Sequence, residues 1–571
     1  MARIPLLGGA YLSRSVIASA QEAVNLYSEA NAPDGSPPAP ATAYPTPGLS
    51  LLSSPPYVEA MRSAYRATNG ALYAVIGPQV YFVSETFAWT LLGTIPDNTT
   101  PVSFSDNGLV ITLVDGSAVG YAIDMATNDF GTITDPSFYG GTSASYQDTY
   151  FIYNRPDTDQ FYISLSNVTY DMLTGTVGGL YLGSITAGGT LYGSGTFTTV
   201  PLTGGTGSGA QATITVTAGI VTAVTITAEG SGYSIGDTLS ASNANLGGTG
   251  SGFAYSVDGV HGYAFDPLDI AAKSGSADNI VAAPTVHSEL WLIGELTTEV
   301  WYDAGAADFA YQRIQGAFVD HGCAAPYSIS QIDIHLLWLS QDRQGKCIVV
   351  MTEGYSVRRV SPHALEEEFQ QYSTVADAIG YCHQIEGHAF YVLTFPTADR
   401  TYCYDISTGQ WHRRVSIDGN GVWHRHRSNC YAFAYGYNLV GDYQNGNLYS
   451  LTNTAYTDNG VAIPRSRTFP HLVRDGNRII YDSFQADMAA GQIEGGTTAD
   501  PPKVSLSWSD NKGFSYGNAV MQSMGATGQY IASPSWSRLG MARDRVFKLE
   551  WSADTNTALN GCWVRTRQCA T

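Results

Sequence analysis

The sequence predicts an all-β protein: a β-propeller of about seven blades, interrupted by a small β module and followed by a C-terminal β-sandwich. Thirty-seven Tyr and 61 Gly against only 13% charged residues are typical of many short strands joined by tight turns, because aromatic side chains favour pleated surfaces and glycine supplies the positive φ that turns need. From Glu59 the chain repeats a pattern of roughly 35 to 50 residues, the period expected of propeller blades. The composition changes over Ser166 to Val260 and again after Asp458.

Each repeat contains about four short strands separated by glycine-containing turns. The predicted units run from Ala64 to Ile95, Val102 to Asp135, Ser143 to Leu165 (resuming near Tyr263), Asn279 to Ile314, Tyr327 to Val360, Ile379 to Val415 and Val422 to Leu451. The count is seven, or six if the first and last units share a blade. Closing the ring would bury the apolar face of each sheet and hide its edges, which favours a propeller over the alternative of two stacked sandwiches.

Four segments follow from these patterns. We predict an N-terminal extended arm over 1–58, the propeller over 59–165 and 261–457, an inserted Gly/Thr-rich β module over 166–260 and the sandwich over 458–571. The sandwich strands are expected at Ile479 to Met488, Val504 to Trp508, Val546 to Trp551 and Cys562 to Arg567. One short helix is predicted over His363 to Gln371, crossing between two blades.

The charge of the chain is acidic and unevenly distributed. The formal net charge is -21, and residues 1–300 hold 6 Lys+Arg against 24 Asp+Glu. No basic residue lies between Arg155 and Lys273, which argues against a phosphate-binding groove in that region. Gly205, Gly207 and Gly209 imitate a phosphate loop, but no Lys follows them and no helix pattern begins there.

Cysteine spacing and hydropathy exclude further classes of protein. The seven Cys lie at irregular spacing without a CxxC pair, so neither a disulfide framework nor a zinc site is predicted and the thiols are expected to be buried and reduced. No apolar run reaches the ~18 residues of a membrane span. The first residues lack the apolar core of a signal peptide, so synthesis and retention in the cytoplasm are expected.

Four groups of residues could suggest chemistry, and each has a simpler structural interpretation. Glu366, Glu367 and Glu368 are consecutive on the predicted helix and point in different directions, which favours a solvated face over a catalytic pair. The pairs Arg358–Arg359 and Arg413–Arg414 end strands, where Arg covers an edge or pairs across blades. His424 and His426 form an HxH pair near Cys430 that could bind a metal, but such a pair is a weak signal.

Segment 509–516, SDNKGFSY, approximates the Asp-box hairpin of sialidases, with Asn511 in place of the carboxylate and Tyr516 in place of Trp. That motif is a folding device of β-hairpins. We therefore predict no catalytic residue, no cofactor site and no metal site, and a protein that is not an enzyme.

Several short segments of the sequence resemble one protein family. Residues 387–414, GHAFYVLTFPTADRTYCYDISTGQWHRR, closely resemble a segment of the packaged-DNA stabilisation proteins of short-tailed bacteriophages, also called tail accessory factors or tail hubs. Two N-terminal motifs of the family also have similar counterparts: NLYSE at 25–29, with Ser28 in place of the usual Pro, and YPTPGL at 44–49. Further words match in order: FDPLDI at 265–270, ELWLIG at 289–294, TEVWYD at 298–303, residues 355–366, GD at 441–442 and LGMARDRVF at 539–547.

The resemblance implies a structural virion protein of a phage tail, assembled in the host cytoplasm. It implies a homo-oligomer, expected to be a hexameric ring, below the portal and its adaptor ring. Such a ring would close the channel around packaged DNA without tight DNA binding and would mount the tail needle and the tail fibres or spikes. The segments shared with the family are strand cores and turns, so the resemblance assigns no functional residue to this chain. A propeller glycosidase and a glycan-binding module of a tail remain alternatives.

Overall fold

The computed structural model describes residues 2–5, 9, 11–31, 41–96, 99–306, 308–341, 343–345, 347–489 and 501–568. Almost all regular structure in these residues is β. The helices are Tyr170–Thr174, His363–Gln370 and two single turns of 3₁₀-helix, Asn243–Asn245 and Pro326–Ser328. No helix in the described ranges is both long and apolar enough to span a bilayer.

Seven antiparallel sheets, here blades 1 to 7, follow one another along the described chain. The first three have the following strands: blade 1, Met61–Arg66, Leu72–Ile76, Gln79–Val83 and Trp89–Thr94; blade 2, Ser103–Asp106, Val110–Val114, Gly120–Asp124 and Phe130–Thr132; blade 3, Ala144–Gln147, Tyr150–Asn154, Gln160–Ser164 and Phe265–Ala272. Most of their second and third strands are buried on both faces, as expected for sheets packed between two neighbours.

The next three blades repeat the pattern, and helix His363–Gln370 connects blades 5 and 6 as predicted. Their strands are: blade 4, Ile280–Ala282, Thr285–Val286, Glu289–Gly294, Thr298–Asp303 and Tyr311–Val319; blade 5, Gly322–Cys323, Ser330–Ile332, His335–Gln341, Cys347–Glu353 and Ser356–Arg359; blade 6, Ile379–Ile385, His388–Phe395, Arg400–Asp405 and Gln410–Ile417 with the short Trp423–Arg425.

Blade 7 closes the ring with a strand that precedes blade 1 in the chain. Its strands are Ser428–Ala434, Tyr437–Asp442, Leu448–Thr452 and Gly48–Ser53, extended by Thr457–Asp458 and Val461–Ala462. Its first strand packs against the first strand of blade 1, where the Asn429 side chain donates to the Met61 carbonyl at 2.9 Å. The two blades also share a hydrophobic core. The predicted propeller is confirmed, and the first and last repeats form separate blades, so the count is seven.

The inserted module lies between the third and fourth strands of blade 3, which still pair with each other across the interruption. It is a six-stranded sheet of Gly179–Tyr192, Gly195–Gly204, Gln211–Thr217, Ile220–Ala228, Thr238–Ala241 and Gly248–His261. The sheet has a hydrophobic core of its own. The preceding segment, expected to belong to the module, instead packs Val168 and Leu173 into the core between blades 2 and 3.

The C-terminal region is a two-sheet sandwich around one core. One sheet contains Ala2–Ile4, Leu26–Ala30, Ala41–Pro45, Ile479–Met488, Ser535–Ser537, Met541–Ala542 and Leu559–Gln568; the other contains Glu22–Val24, Arg465–Thr468, Leu472–Val473, Lys503–Ser509, Val520–Ser523 and Asp544–Trp551. All four predicted strands are present: Ile479–Met488 has the predicted bounds, and the others are longer by up to three residues at the N-terminal end and one at the C-terminal end. The fold class predicted from the sequence is therefore confirmed.

The N-terminal residues form strands of the sandwich and of the propeller. Segment 1–58, expected to be an extended arm, instead supplies strands to both sandwich sheets and to blade 7. Strand Glu22–Val24 pairs in parallel with blade 6 (Val24 opposite Arg413) and antiparallel with Arg465–Thr468. Blade 6 and one sandwich sheet thereby form a continuous 11-stranded sheet. The sequence could not show this, because Glu22–Val24 and Gly48–Ser53 pair with strands hundreds of residues away.

Candidate functional site: the propeller axis and the buried junction

The first strands of the blades surround an axial cavity of about 520 Å³. The cationic side chains of its lining are Arg62 and Arg66, and the described lining includes no carboxylate. Arg62 is held by the protein itself: its Nε donates to the Thr100 carbonyl at 2.7 Å, and its Nη1 donates to the Gly77 carbonyl at 3.0 Å. The bond to Thr100 ties blade 1 to the loop that leads into blade 2, and the bond to Gly77 fixes the Arg62 side chain within blade 1.

The junction between propeller and sandwich is organised by Asn25. Its backbone lies in the left-handed region, with φ 52°, which asparagine tolerates better than most residues. Its side-chain Nδ2 donates to the carbonyls of Val415 at 3.0 Å and Pro464 at 2.8 Å, and its Oδ1 accepts from the Val415 amide at 2.9 Å. One buried side chain therefore links blade 6 to the entry of the sandwich.

The PTPGL segment contributes the opposite wall of the junction. The Pro47 carbonyl accepts a hydrogen bond of 3.1 Å from the buried Arg414 guanidinium. A Cβ at Gly48 would lie 2.5 Å from the Ala455 carbonyl oxygen, so the close approach of the two backbones requires glycine there. The two N-terminal motifs that resemble the family, NLYSE and YPTPGL, thus lie at the joint between the propeller and the sandwich.

Buried charges surround this joint. Arg465 donates to the carbonyls of Ala553 and Tyr456, at 2.8 and 3.0 Å, and Arg467 donates to the Gly9 carbonyl at 3.1 Å. Burial lowers the pKa of both guanidinium groups to about 10. Burial also raises the pKa of Asp458 to about 6, although the Ser416 hydroxyl donates to its carboxylate at 2.9 Å.

Three buried histidines lie near Arg414. Burial and the positive charge of Arg414 together lower the pKa of His412 to about 3 and lower the pKa values of His383 and His426 well below their usual range. Neither ring nitrogen of His383 has a hydrogen-bond partner among the described residues. The His383 ring stacks on Phe390 at 5.2 Å between centroids. The junction thus favours the neutral imidazole form.

The structure separates the three consecutive glutamates. Glu366 is buried and pairs with Arg359, whereas the more exposed Glu367 pairs with Arg14. Glu368 accepts a hydrogen bond of 2.8 Å from the Tyr372 hydroxyl. The expectation of a solvated face is wrong for Glu366, since the end of blade 5 covers it.

Of the four strand-end arginines, Arg358 pairs across blades as expected, whereas Arg359 and Arg413 pair with the connecting helix and with an N-terminal sandwich strand. Arg359 pairs with Glu366, Arg413 lies 3.6 Å from Glu22, and Arg358 interacts with the Tyr404 hydroxyl. Arg414 is instead fully buried. Sequence reasoning missed its role, and that of Asn25, because nothing local distinguishes a strand residue that faces solvent from one that faces a second domain.

The HxH pair is divided between two environments. His424 Nδ1 is 2.9 Å from an Asp399 carboxylate oxygen in a partly exposed position, whereas His426 is buried with its Nδ1 2.6 Å from the Ser428 hydroxyl. Burial raises the pKa of Cys430 to about 12. Throughout the described ranges, no group of three His, Cys, Asp or Glu is arranged to hold a metal ion.

The other two motifs form turns. Gly205 and Gly209 have φ of 69° and 87°, and the Thr206 amide donates to Asp237 at 2.9 Å. In the hairpin after strand Lys503–Ser509, Asn511 accepts from the Ser515 amide at 3.0 Å. Both motifs therefore use their polar groups to fold the backbone.

Comparison with known proteins identifies the family. Two family models match, "Bacteriophage P22 Gp10, beta-propeller" over residues 255–456 and "Bacteriophage P22 Gp10, beta-sandwich" over residues 465–567. No curated protein matches the chain.

Solved structures similar to the chain include the WD40 β-propeller domain of Doa1, with 9% identity and a TM-score of 0.34 over 71% of this chain and 98% of that one. The Neurospora crassa Pan2 WD40 domain has 8% identity and a TM-score of 0.33, over 72% and 95%. The fold assignment rests on the strand pairing and on the two family models. Those models together cover more than half of the chain, in order and on the matching folds, and the chain belongs to the family of bacteriophage P22 Gp10, the packaged-DNA stabilisation proteins or tail hubs of short-tailed phages.

Proposed function

We propose that six copies of this chain form a ring below the portal and adaptor ring of a short-tailed phage. The ring closes the DNA channel, retains the packaged genome and mounts the tail needle and the tail fibres or spikes. It assembles in the host cytoplasm and remains in the virion. The role is structural and involves no catalysis.

The observation that carries this proposal is the 11-stranded sheet that joins blade 6 to the sandwich. A component that holds DNA under pressure has to transmit force between its domains without hinging. Backbone hydrogen bonds across the junction, together with the buried bonds of Asn25, oppose such a hinge. This connection supports a load-transmitting part of a particle better than it supports a ligand-binding propeller.

Two further features support retention by steric closure. The axial cavity of about 520 Å³ has the size of a small-molecule pocket, so the DNA channel would lie between copies of the chain. Six copies carry a formal charge of about -126, and an acidic wall repels a polyanion over roughly a Debye length, ~8 Å at physiological salt. Such a wall lets DNA leave with little friction at infection.

The first test is genetic. A phage with an early stop codon in this gene is expected to package DNA and then to lose it, giving empty capsids without tails in electron micrographs. Supplying the wild-type chain from a plasmid should restore filled particles. Mass spectrometry of purified virions should detect the chain at six copies per portal. Filled, stable capsids in its absence would refute the proposal.

The second test asks whether the purified chain binds duplex DNA. We expect the purified chain to leave duplex DNA unretarded in an electrophoretic mobility assay at physiological ionic strength. Tight binding that weakens steeply with salt, as counterion release requires, would refute retention by a repulsive wall and would leave the family assignment intact.

A further inference from the structure

The C-terminal part of the sandwich is basic, although the chain as a whole is acidic. Residues 465–571 hold 12 Lys+Arg and 9 Asp+Glu, whereas residues 1–464 hold 16 and 40. The two parts therefore have formal net charges of +3 and -24. A chain divided in this way presents surfaces of opposite sign to other copies of itself.

The positive charge is concentrated at one end of the sandwich. Register places Arg567 opposite Ile480 and places Ala542 opposite Ile479. The loops and strand ends around these residues carry six exposed arginines, here the arginine end: Arg474, Arg478, Arg538, Arg543, Arg565 and Arg567.

Most of these arginines lack an ionic partner. Arg567 pairs with Asp482 at 2.7 Å, and Arg565 adds its field to the same carboxylate, lowering the pKa of Asp482 further. The other four form no ion pair with any described residue. Two apolar side chains lie among them, Met541 at 50% exposure and Val473 at 58%.

A surface of opposite character lies on blade 3. Its outermost strand, Phe265–Ala272, pairs on one side only among the described strands. It carries the acidic edge, which consists of Asp266, Leu268 and Asp269, with Leu268 78% exposed. Burial and the charge of Asp266 raise the pKa of Asp269, and the sequence from 156 to 272 contains no cation to offset them.

The two surfaces belong to different parts of the fold. The sandwich continues blade 6, and blade 3 is three blades away in a ring of seven. The described ion pairs include none between the two surfaces within one copy, and a contact between copies that pairs them would be head to tail, which generates rings when the rotation closes.

We propose that the arginine end of one copy binds the acidic edge of blade 3 of the next copy. Guanidinium groups bind carboxylates in bidentate pairs, and Leu268 would be covered by Met541 and Val473. The proposal rests on the homo-oligomer of the proposed function and specifies the surfaces that form it.

A charge-swap experiment tests the contact. One variant carries Arg543→Glu and Arg565→Glu, and a second carries Asp266→Lys and Asp269→Lys. In sedimentation velocity at low salt, each variant alone should associate at least about tenfold more weakly than the wild type, because like charges then face each other. An equimolar mixture should associate nearly as well as the wild type, since every contact in alternating order again joins opposite charges.

Matched controls separate the contact from net charge and from misfolding. Lys503→Glu changes the sandwich charge at the far end of strand Lys503–Ser509, whose Ser509 end pairs with Val546 near the arginine end, and Glu85→Lys changes the propeller charge on blade 1. Both should leave association unchanged, and all variants should keep the wild-type melting temperature. Recovery in the mixture also shows that the charge-swapped copies are folded.

Wild-type association that is unchanged in both charge-swapped variants would overturn the proposal, and so would a wild-type chain that stays monomeric in these solutions. In either case, six copies per virion by mass spectrometry would leave the ring itself standing. Retardation of duplex DNA by the wild type that disappears with Arg543→Glu/Arg565→Glu would also overturn it, by assigning the arginine end to nucleic acid.

Discussion

Blades 3 and 6 each carry an additional domain, and the two connections differ in kind. At blade 6 the sandwich continues the sheet, and buried Asn25 and Arg414 bond across the joint. At blade 3 the module replaces a hairpin turn and is entered and left through Gly178 and Gly262, with φ of 69° and 76°. The chain thus uses a continuous sheet with buried polar bonds at blade 6, and two glycine-flanked strands at blade 3.

Because the junction between propeller and sandwich contains buried titratable groups, we expect acidification to lower the stability of the protein more than any of the substitutions below. A histidine whose pKa is lower in the folded than in the unfolded chain stabilises the fold only above its unfolded value, so stability is lost as pH falls from about 6.5. For His412, with a folded pKa of about 3, the loss at pH 4 is on the order of 3 kcal/mol at 1.4 kcal/mol per unit.

Asp458 has the opposite effect on the pH dependence of stability. Its pKa of about 6 lies above the unfolded value, so it contributes stability below about pH 4 that is lost as pH rises through 6. One carboxyl offsets about one of the three histidines. The net result expected is a loss of several kcal/mol in the free energy of unfolding between pH 7 and 4. Hydrogen exchange should show it as lost protection at the junction and retained protection in the module.

His383→Phe sharpens this prediction. It removes two unpaired ring nitrogens and keeps an aromatic ring against Phe390, so the free energy of unfolding at pH 7 should rise by about 1–3 kcal/mol. Its decline toward pH 4, measured by urea denaturation, should become shallower. An unchanged pH profile would remove His383 from the acid response.

Asn25→Ala tests the joint at a single side chain. Three buried hydrogen bonds disappear and alanine is strained at φ 52°, so we expect a loss of about 3–5 kcal/mol in the free energy of unfolding. Asn25→Gly relieves the backbone strain alone and should recover about 1 kcal/mol of this loss. A loss below about 1 kcal/mol for Asn25→Ala would show that the junction does not depend on these bonds.

Excision of the module should have the smallest effect. Replacing residues 179–261 with a short Gly-Ser linker is expected to change the stability of the remainder by less than about 1 kcal/mol, since loop closure varies by only ~0.6 kcal/mol per doubling of length. The matched control removes 166–260, which takes Val168 and Leu173 from the core of blades 2 and 3. That deletion should cost several kcal/mol more. Equal melting temperatures of the two deletions would contradict this boundary.

The propeller strands could be predicted closely because their signal is local. Val110–Val114 and Leu72–Ile76 are runs of apolar and β-branched residues between glycine turns, a pattern typical of strands that are buried on both faces. The proposed interaction surfaces could not be predicted, because Arg543 and Asp266 resemble any other exposed charge in the sequence.

By itself, the sequence determined the class of fold, a series of strand-rich repeats that left six or seven blades open, the presence of an inserted module and the resemblance to the family. These depend on residue type and short spacing, and every blade repeats them. Only the tertiary structure decided that Gly48–Ser53 completes blade 7, that Glu22–Val24 joins blade 6 to the sandwich and that Arg414 is buried. Each of these depends on contacts between residues hundreds of positions apart, where the energy of a hydrogen bond or a buried charge is set by the partner and leaves no local pattern.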